Sequence, residues 1–247
     1  MLVSVVIPTY NRLPILKKCL DSLENQSLID EIHEYEIVIV DDGSTDGTIN
    51  WLENNIETFP HLRLFEQSHG GPALGRNLGV EKSNGDLIVF IDSDLVVDKF
   101  FLVNHINALI KAWRKNGNRK CFTYGSVINT SNFNNPKSEP FKIQDLSWAY
   151  FATGNVAIDK KVLEKSGLFD TSFRLYGWED LELGERLRNM GVKLVKCPKA
   201  IGYHWHPALA LEQIPNLIRI EKERAKMGLV FYRKHPTLRV KFIIQYT

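Results

Sequence analysis

Cysteine is scarce in this chain. Only Cys19, Cys121 and Cys197 occur in 247 residues, far apart and without a CxxC pair. That spacing supplies neither a disulfide framework nor a zinc ribbon, and it suits a reducing compartment. Net charge is scarce too. The 31 Lys and Arg stand against 29 Asp and Glu, leaving +2, too little for a protein that holds nucleic acid by bulk charge. No apolar run approaches the roughly 20 residues that a membrane span requires. The stretch Met1 to Pro8 lacks the basic lead and long apolar core of a signal peptide. A soluble, cytoplasmic protein is expected, with neither internal repeats nor low-complexity segments.

What is present is an ordinary globular composition, 44% hydrophobic, arranged in alternating strand and helix patterns. Val3 to Ile7 and Glu36 to Val40 are apolar runs of strand length, and Leu62 to Phe65 is a shorter one. Leu87 to Ile91 is the fourth such run. Between them lie helical patterns: Leu16, Cys19, Leu20 and Leu23 on one face, then Ile49, Leu52 and Ile56, then a helix opened by Gly70-Gly71-Pro72. A long amphipathic helix follows through Phe101, Ile106, Leu109 and Trp113, and then a strand over 120–128. Continuous apolar strands alternating with helices predict an α/β fold with a mostly parallel, doubly wound sheet and right-handed crossovers.

The character changes at Asn129, where a loop rich in Asn, Ser and Pro runs to Ser138. Gly154 to Ile158 is expected as a strand, 160–165 as a short helix, and Val192 to Val195 as a strand. Trp178-Glu179-Asp180 opens a helix with acids in its first turn, and Tyr203 to Pro207 is expected as a loop. The segment from Leu209 to Tyr232 is largely helical in pattern. The tail beyond it mixes Arg233, Lys234, Arg239 and Lys241 with Phe242, Ile243 and Ile244. That tail is either a packed terminus or a peripheral membrane-surface patch.

Three acidic sites carry the functional argument: Asp41-Asp42, Asp92-Ser93-Asp94 and Glu179-Asp180. The first two directly follow strands of the inferred parallel sheet, so they share its carboxyl edge, where open α/β sheets bind ligands. Alternate side chains of an extended chain share a side, which lets Asp92 and Asp94 converge. Two hard oxygen donors suit Mg2+ or Mn2+, and such an ion commonly accompanies a phosphate. Singly, Asp42 could serve only the Gly43-Ser44 turn and Glu179-Asp180 only a helix start. Coincidence at all three is the poorer explanation.

In this order, Ser4 to Arg12 (SVVIPTYNR), Val40 to Asp46 (VDDGSTD), Gly71-Pro72-Ala73 with Arg76-Asn77, Asp92-Ser93-Asp94 and Trp178-Glu179-Asp180 resemble family 2 glycosyltransferases of the GT-A fold. The part from Gly154 to Pro207 also resembles the galactosyltransferase-like half of chondroitin-type polymerases and polypeptide N-acetylgalactosaminyltransferases. The resemblance implies a GT-A domain over 1–207, with a nucleotide-binding half (1–128), an acceptor-binding half (129–207) and a helical extension (208–247). It implies a UDP-sugar donor, a glycan or lipid-linked acceptor, Mn2+ or Mg2+, and inversion at the anomeric carbon.

Residue by residue, the resemblance implies that Pro8, Thr9, Tyr10 and Arg12 with Asp41 or Asp42 hold the nucleoside, and Arg76 the base or phosphates. Asp92 and Ser93 lie on the ribose side and Asn155 near the donor sugar. Asp94 holds the metal, Asp180 is the general base, and Glu179 binds donor sugar or acceptor. A histidine completes the metal site, and both His204 and His206 fit that place. Trp148, Trp178 and Trp205 are either sugar-stacking rings or core. Two other classes stand beside this one. A nucleotidylyltransferase needs a Gly-rich basic loop after the first strand, which Pro8 to Arg12 is not; a non-catalytic carbohydrate-binding or scaffold protein has no need of Asp180.

Overall fold

The computed structural model describes residues 1–28, 34–147, 149–208 and 210–245. Eight strands form one sheet. They are β1 (Leu2–Thr9), β2 (Glu34–Asp41), β3 (Leu62–Glu66), β4 (Leu87–Ile91), β5 (Leu95–Val97), β6 (Cys121–Thr130), β7 (Asn155–Asp159) and β8 (Lys193–Trp205). The described residues also form eight α-helices: α1 (Leu13–Glu24), α2 (Thr48–Asn54), α3 (Pro72–Lys82), α4 (Phe101–Asn116), α5 (Lys160–Lys165), α6 (Glu179–Asn189), α7 (Ile214–Lys234) and α8 (Leu238–Ile243).

The strand order is β3-β2-β1-β4-β7-β6-β8-β5. β1 to β4 run parallel, β6 and β8 share their direction, and β7 and β5 run against it. The mostly parallel expectation therefore describes six strands of a mixed sheet. β7 reverses because the long connection after β6 returns the chain to the carboxyl edge before the strand begins. The two faces are covered as a doubly wound sheet requires. Leu16, Leu20, Phe101 and Ile106 of α1 and α4 pack on one face, and Val80, Leu163, Leu183 and Leu187 of α3, α5 and α6 on the other. Central strands are buried on both sides, which explains their unbroken apolar runs.

Two strand expectations need correction. Leu95–Val97, unremarked in the sequence, forms β5 and pairs with Gly202 to His204. The supposed loop at Tyr203 is the last part of β8, which continues to Trp205. Gly202 makes this pairing feasible, since a Cβ there would come within 2.5 Å of the Leu95 side chain. The short apolar count of 192–195 hid a strand whose outer half is polar and interrupted by a bulge at Gly125/Ser126 of its partner.

The helical extension is docked on the domain. Met227, Phe231 and Val240 pack with Phe173, Trp178 and Leu181. Lys234–Asp170, His235–Glu182 and Arg239–Glu185 add polar contacts at 2.7, 2.9 and 2.7 Å. Leu209 and Trp148, which entered the sequence expectations, lie outside the described residues.

Candidate active site

The carboxyl ends of β1, β2, β4 and β8 and the start of β7 meet at one edge. At β1 and β2, Thr9 pairs with Asp41 in the parallel register. Both are buried, and both keep an oxygen without a hydrogen-bond partner, Thr9 Oγ1 and Asp41 Oδ1. The other Asp41 oxygen accepts the Ser44 backbone N–H at 2.8 Å. Unpaired buried polar atoms cost stability, so two side by side are a feature of a ligand site rather than of a core. Asp42 is occupied differently. Its carboxylate accepts from Gln67 Nε2 (2.6 Å) and the backbone N–H groups of Gly70 (2.8 Å) and Gly71 (2.9 Å), and His69 lies 2.9 Å away. It fixes the loop that leads into α3. Tyr10 stacks on His69 with ring centroids 4.2 Å apart, closing that side of the edge with aromatic surface.

Arg76, on α3, is buried and forks between two acids. Nη1 lies 2.8 Å from Glu179 Oε1 and Nη2 3.1 Å from Asp92 Oδ1. Burial opposes its charge, but Glu179, Asp92 and Asp180 outweigh burial and hold the guanidinium ionised. Glu179 keeps its second oxygen, Oε2, buried and unpartnered.

The acids of α6 are delivered by an unusual backbone. Gly177 and Trp178 both have positive φ, +99° and +75°. A bulky residue in that region is strained by about 1–3 kcal/mol. Trp178 is held there by its indole N–H, which donates to the Arg224 carbonyl at 2.7 Å, and by the Arg224 guanidinium over its ring. Trp178 is therefore a packing residue that aims Glu179 and Asp180 at the cleft. Asp180 is pushed up to about 7, first by burial and then by the neighbouring Glu179 charge, against the opposing pull of Arg76. A carboxylate poised near neutral pH is suited to general-base work.

At the metal-type corner, the ligand atoms of Asp94, His204 and His206 all lie within 4.8 Å of one another. His204 Nε2 is 2.9 Å from Asp94 Oδ1, and Arg12 Nη1 is 3.7 Å from Oδ2. Asp94 Oδ1 is buried yet makes no aligned hydrogen bond, as expected of donor atoms that face a common point rather than each other. Burial alone would raise the Asp94 carboxyl; His204, Arg12 and His206 leave it lowered instead. His204 rises despite burial because of Asp94, whereas burial and His204 lower His206. One carboxylate and two imidazoles, with water left to fill the shell, match a first-row divalent ion. Trp205 packs edge-on to Phe133 at 5.4 Å and its backbone N–H donates to the Asp94 carbonyl at 3.0 Å, so it walls this corner.

Among the expected residues, Arg12, Arg76, Asp92, Asp94, Glu179, Asp180, His204 and His206 are thus brought together, and Ser93 is buried between the two acids. The side chain of Asn155 faces inward instead. It is fully enclosed, with both amide atoms hydrogen-bonded inside the protein. Tyr176 was overlooked. It stands beside the acids, and burial first, then the charges of Asp92 and Glu179, raise its phenol. His69 was overlooked as well. Neither stands out in the sequence from other aromatic loop residues.

The sheet and its acidic edge are those of a GT-A glycosyltransferase. The chain belongs to glycosyl transferase family 2, which it matches over residues 4–167, and residues 136–208 match the N-terminal domain of galactosyltransferase. Among curated relatives, an uncharacterized glycosyltransferase YfnE of Bacillus subtilis is 27% identical over 78% of this chain and 62% of its own length. A chondroitin synthase of Escherichia coli is 27% identical over 83% of this chain and 34% of its own. The chain thus spans less than two thirds of these relatives. Among solved structures, the mannosyltransferase PcManGT of Pyrobaculum calidifontis, in complex with GDP-Man and Mn2+, has a TM-score of 0.66 at 22% identity, covering 99% of this chain and 70% of its own. TarS of S. aureus in complex with UDP-GlcNAc has a TM-score of 0.63 at 17% identity, covering 93% and 66%.

Proposed function

We propose that this protein is a metal-dependent, inverting glycosyltransferase that moves a hexose or N-acetylhexosamine from a UDP-sugar to a hydroxyl of a glycan or glycolipid. The observation that carries this reading is the Arg76 fork, which ties the Asp92-Ser93-Asp94 edge to Glu179 and thereby to Asp180, whose carboxyl sits near 7. Thr9, Tyr10, Arg12 and Asp41 take the nucleoside, using the oxygens of Thr9 and Asp41 that the protein leaves unpaired. Arg76 and Asp92 lie on the ribose and phosphate side. Asp180 accepts the proton of the attacking hydroxyl while Glu179 orients sugar hydroxyls, and attack from the Asp180 side inverts the anomeric carbon.

Asp94, His204 and His206 would hold Mn2+ or Mg2+, with the imidazoles favouring Mn2+. When bound, such an ion stabilises the negative charge that builds on the departing diphosphate without any proton transfer. UDP-sugars are favoured as donors by the family resemblance and by the TarS complex with UDP-GlcNAc. A donor panel assayed for Mn2+-dependent hydrolysis to UDP tests the assignment. Release of UDP from one or two UDP-sugars supports it; hydrolysis of GDP-sugars alone refutes the donor class. A purely carbohydrate-binding role is disfavoured because a carboxyl lifted to about 7 costs stability that simple binding does not require.

Among the described residues, no helix is long and apolar enough to cross a membrane. The C-terminal extension nevertheless suits an anionic bilayer surface. Residues 208–247 hold eight Lys and Arg against three Glu. Leu238 and Phe242, one helical turn apart on α8, are 75% and 81% exposed, while Val240 between them is buried. Two apolar wedges on a basic segment are a peripheral membrane contact, which would bring a lipid-linked acceptor to the cleft.

A further inference from the structure

The position of His204 depends on an irregularity several residues upstream. Along β6 and β8 the register runs regularly from Cys121↔Lys193 to Gly125↔Cys197, then resumes at Ser126↔Ile201. Pro198, Lys199 and Ala200 are extra residues on β8, and they shift the phase of all that follows. Because side chains alternate between faces, a slip of one residue would turn His204 away from the face that Asp94 occupies. Such bulges leave carbonyls without ladder partners.

Asn155 supplies those partners. Its amide Nδ2 donates to the Ser126 carbonyl at 2.9 Å and to the Ala200 carbonyl at 3.0 Å, one on each of the two strands at the irregularity. Its Oδ1 accepts from His105 Nε2 at 2.8 Å, and His105 Nδ1 lies 2.8 Å from Thr123 Oγ1. Burial pushes His105 down to about 4, so the ring is neutral and can donate from only one nitrogen. With Nε2–H committed to Asn155, Nδ1 accepts from the threonine hydroxyl, and the amide has a single satisfiable orientation. Asn155, His105 and Thr123 are completely buried.

Gly125 shows that this seat is built for the amide. A Cβ at that position would stand 2.4 Å from both amide atoms of Asn155 and from the Ala200 carbonyl. Asn155 also pairs with Ile91, the residue before Asp92, and a Cβ on the neighbouring Gly154 would lie 3.2 Å from Asp92 Oδ2. One residue of β7 therefore pairs through its backbone with β4, which leads into Asp92, and through its buried amide with β6 and with β8, which carries His204.

We propose that Asn155 is a positioning residue for the Asp94–His204–His206 site, clamping the β6–β8 bulge that sets the phase of β8, with His105 orienting its amide. The inference rests on the reading of that cluster as a divalent-metal site. It assigns Asn155 a role beneath the site instead of against the donor sugar.

The test measures Mn2+ affinity of the full chain by electron paramagnetic resonance, without donor, alongside the thermal midpoint. The variants are Asn155→Ser, Gly125→Ala, His105→Gln and His105→Phe, with Asp94→Ala and the core variant Leu163→Ala as controls. The expected result is a loss of about tenfold or more in Mn2+ affinity for Asn155→Ser, Gly125→Ala and His105→Phe, the range seen when residues supporting metal ligands are removed. His105→Gln, which keeps a donor toward Oδ1, recovers part of the loss. Leu163→Ala lowers the thermal midpoint without changing affinity. Wild-type affinity in folded Asn155→Ser or in Gly125→Ala overturns the proposal while the metal site stands. Equal Mn2+ binding by wild type and Asp94→Ala overturns the metal reading itself.

Discussion

Arg76 and Glu179 are 103 positions apart in the chain and meet in a buried ion pair at 2.8 Å. The pair joins α3 to the start of α6, and Asp92 shares the same guanidinium. Removing one partner leaves a buried charge without compensation, which costs about 3–5 kcal/mol. Arg76→Met is expected to lower the thermal midpoint markedly and to abolish transfer. Arg76→Met with Glu179→Gln is expected to regain much of the stability and none of the activity. A double-variant cycle by denaturant unfolding checks this, and a near-additive cycle contradicts it.

As the proposed general base, Asp180 is expected to set the pH dependence of transfer. Its carboxyl is raised to about 7 in the folded protein, so the base is ionised only above that value. The rate of transfer under subsaturating donor is expected to rise with pH through a midpoint near 7. Asp180→Asn is expected to lose at least about a hundredfold in rate, the contribution of a general base, together with this rising limb. Stability moves the other way. A raised folded-state value means the native protein holds the proton more tightly than the unfolded chain, so this group's stabilising contribution is full below about 4 and is lost as pH rises through about 7. Denaturant midpoints at pH 6 and 8 for wild type and Asp180→Asn reveal the difference, because the variant lacks that loss.

Asp41 and Asp42 are adjacent, yet they are expected to fail in different ways. Asp42→Ala removes the acceptor for Gln67, Gly70 and Gly71 and should destabilise the protein by about 1–3 kcal/mol. Asp41→Asn is expected to leave stability nearly intact and weaken UDP binding by about tenfold, since its Oδ1 has no hydrogen-bond partner within the protein. Calorimetric UDP titration beside thermal melts separates the two. Identical phenotypes would contradict the assignment.

For the C-terminal extension, Leu238→Ser with Phe242→Ser removes exposed apolar surface and leaves Val240 packed. Binding to vesicles of mixed neutral and anionic lipid is expected to fall with the double substitution and with added salt, while the thermal midpoint holds. Unchanged vesicle binding contradicts a membrane role for α8.

Much of the sheet was legible because strands buried on both faces carry unbroken apolar runs. Leu87–Ile91 and its neighbours needed only that pattern and strand length. β5 escaped because three apolar residues after a turn resemble any loop, and the outer half of β8 because Tyr203-His204-Trp205 reads as an irregular aromatic stretch. Asp41-Asp42 and Asp92-Ser93-Asp94 were legible by their place after strands. Their division of labour was not, since the different occupations of Asp41 and Asp42 depend on the backbone of Gly70 and Gly71, which no local pattern brings near. Asn155 shows the same limit. Its neighbour Gly154 marked a strand start, but the partners of its amide lie on β6 and β8 and on a histidine 50 residues away.

A divalent ion held by Asp94, His204 and His206 would couple to the donor diphosphate. Titrating UDP calorimetrically into wild type and Asp94→Ala, each with and without Mn2+, tests it most directly. Mn2+ is expected to tighten UDP binding to the wild type at least about tenfold and to have no effect on Asp94→Ala. Equal tightening in both proteins, or none in the wild type, would contradict it.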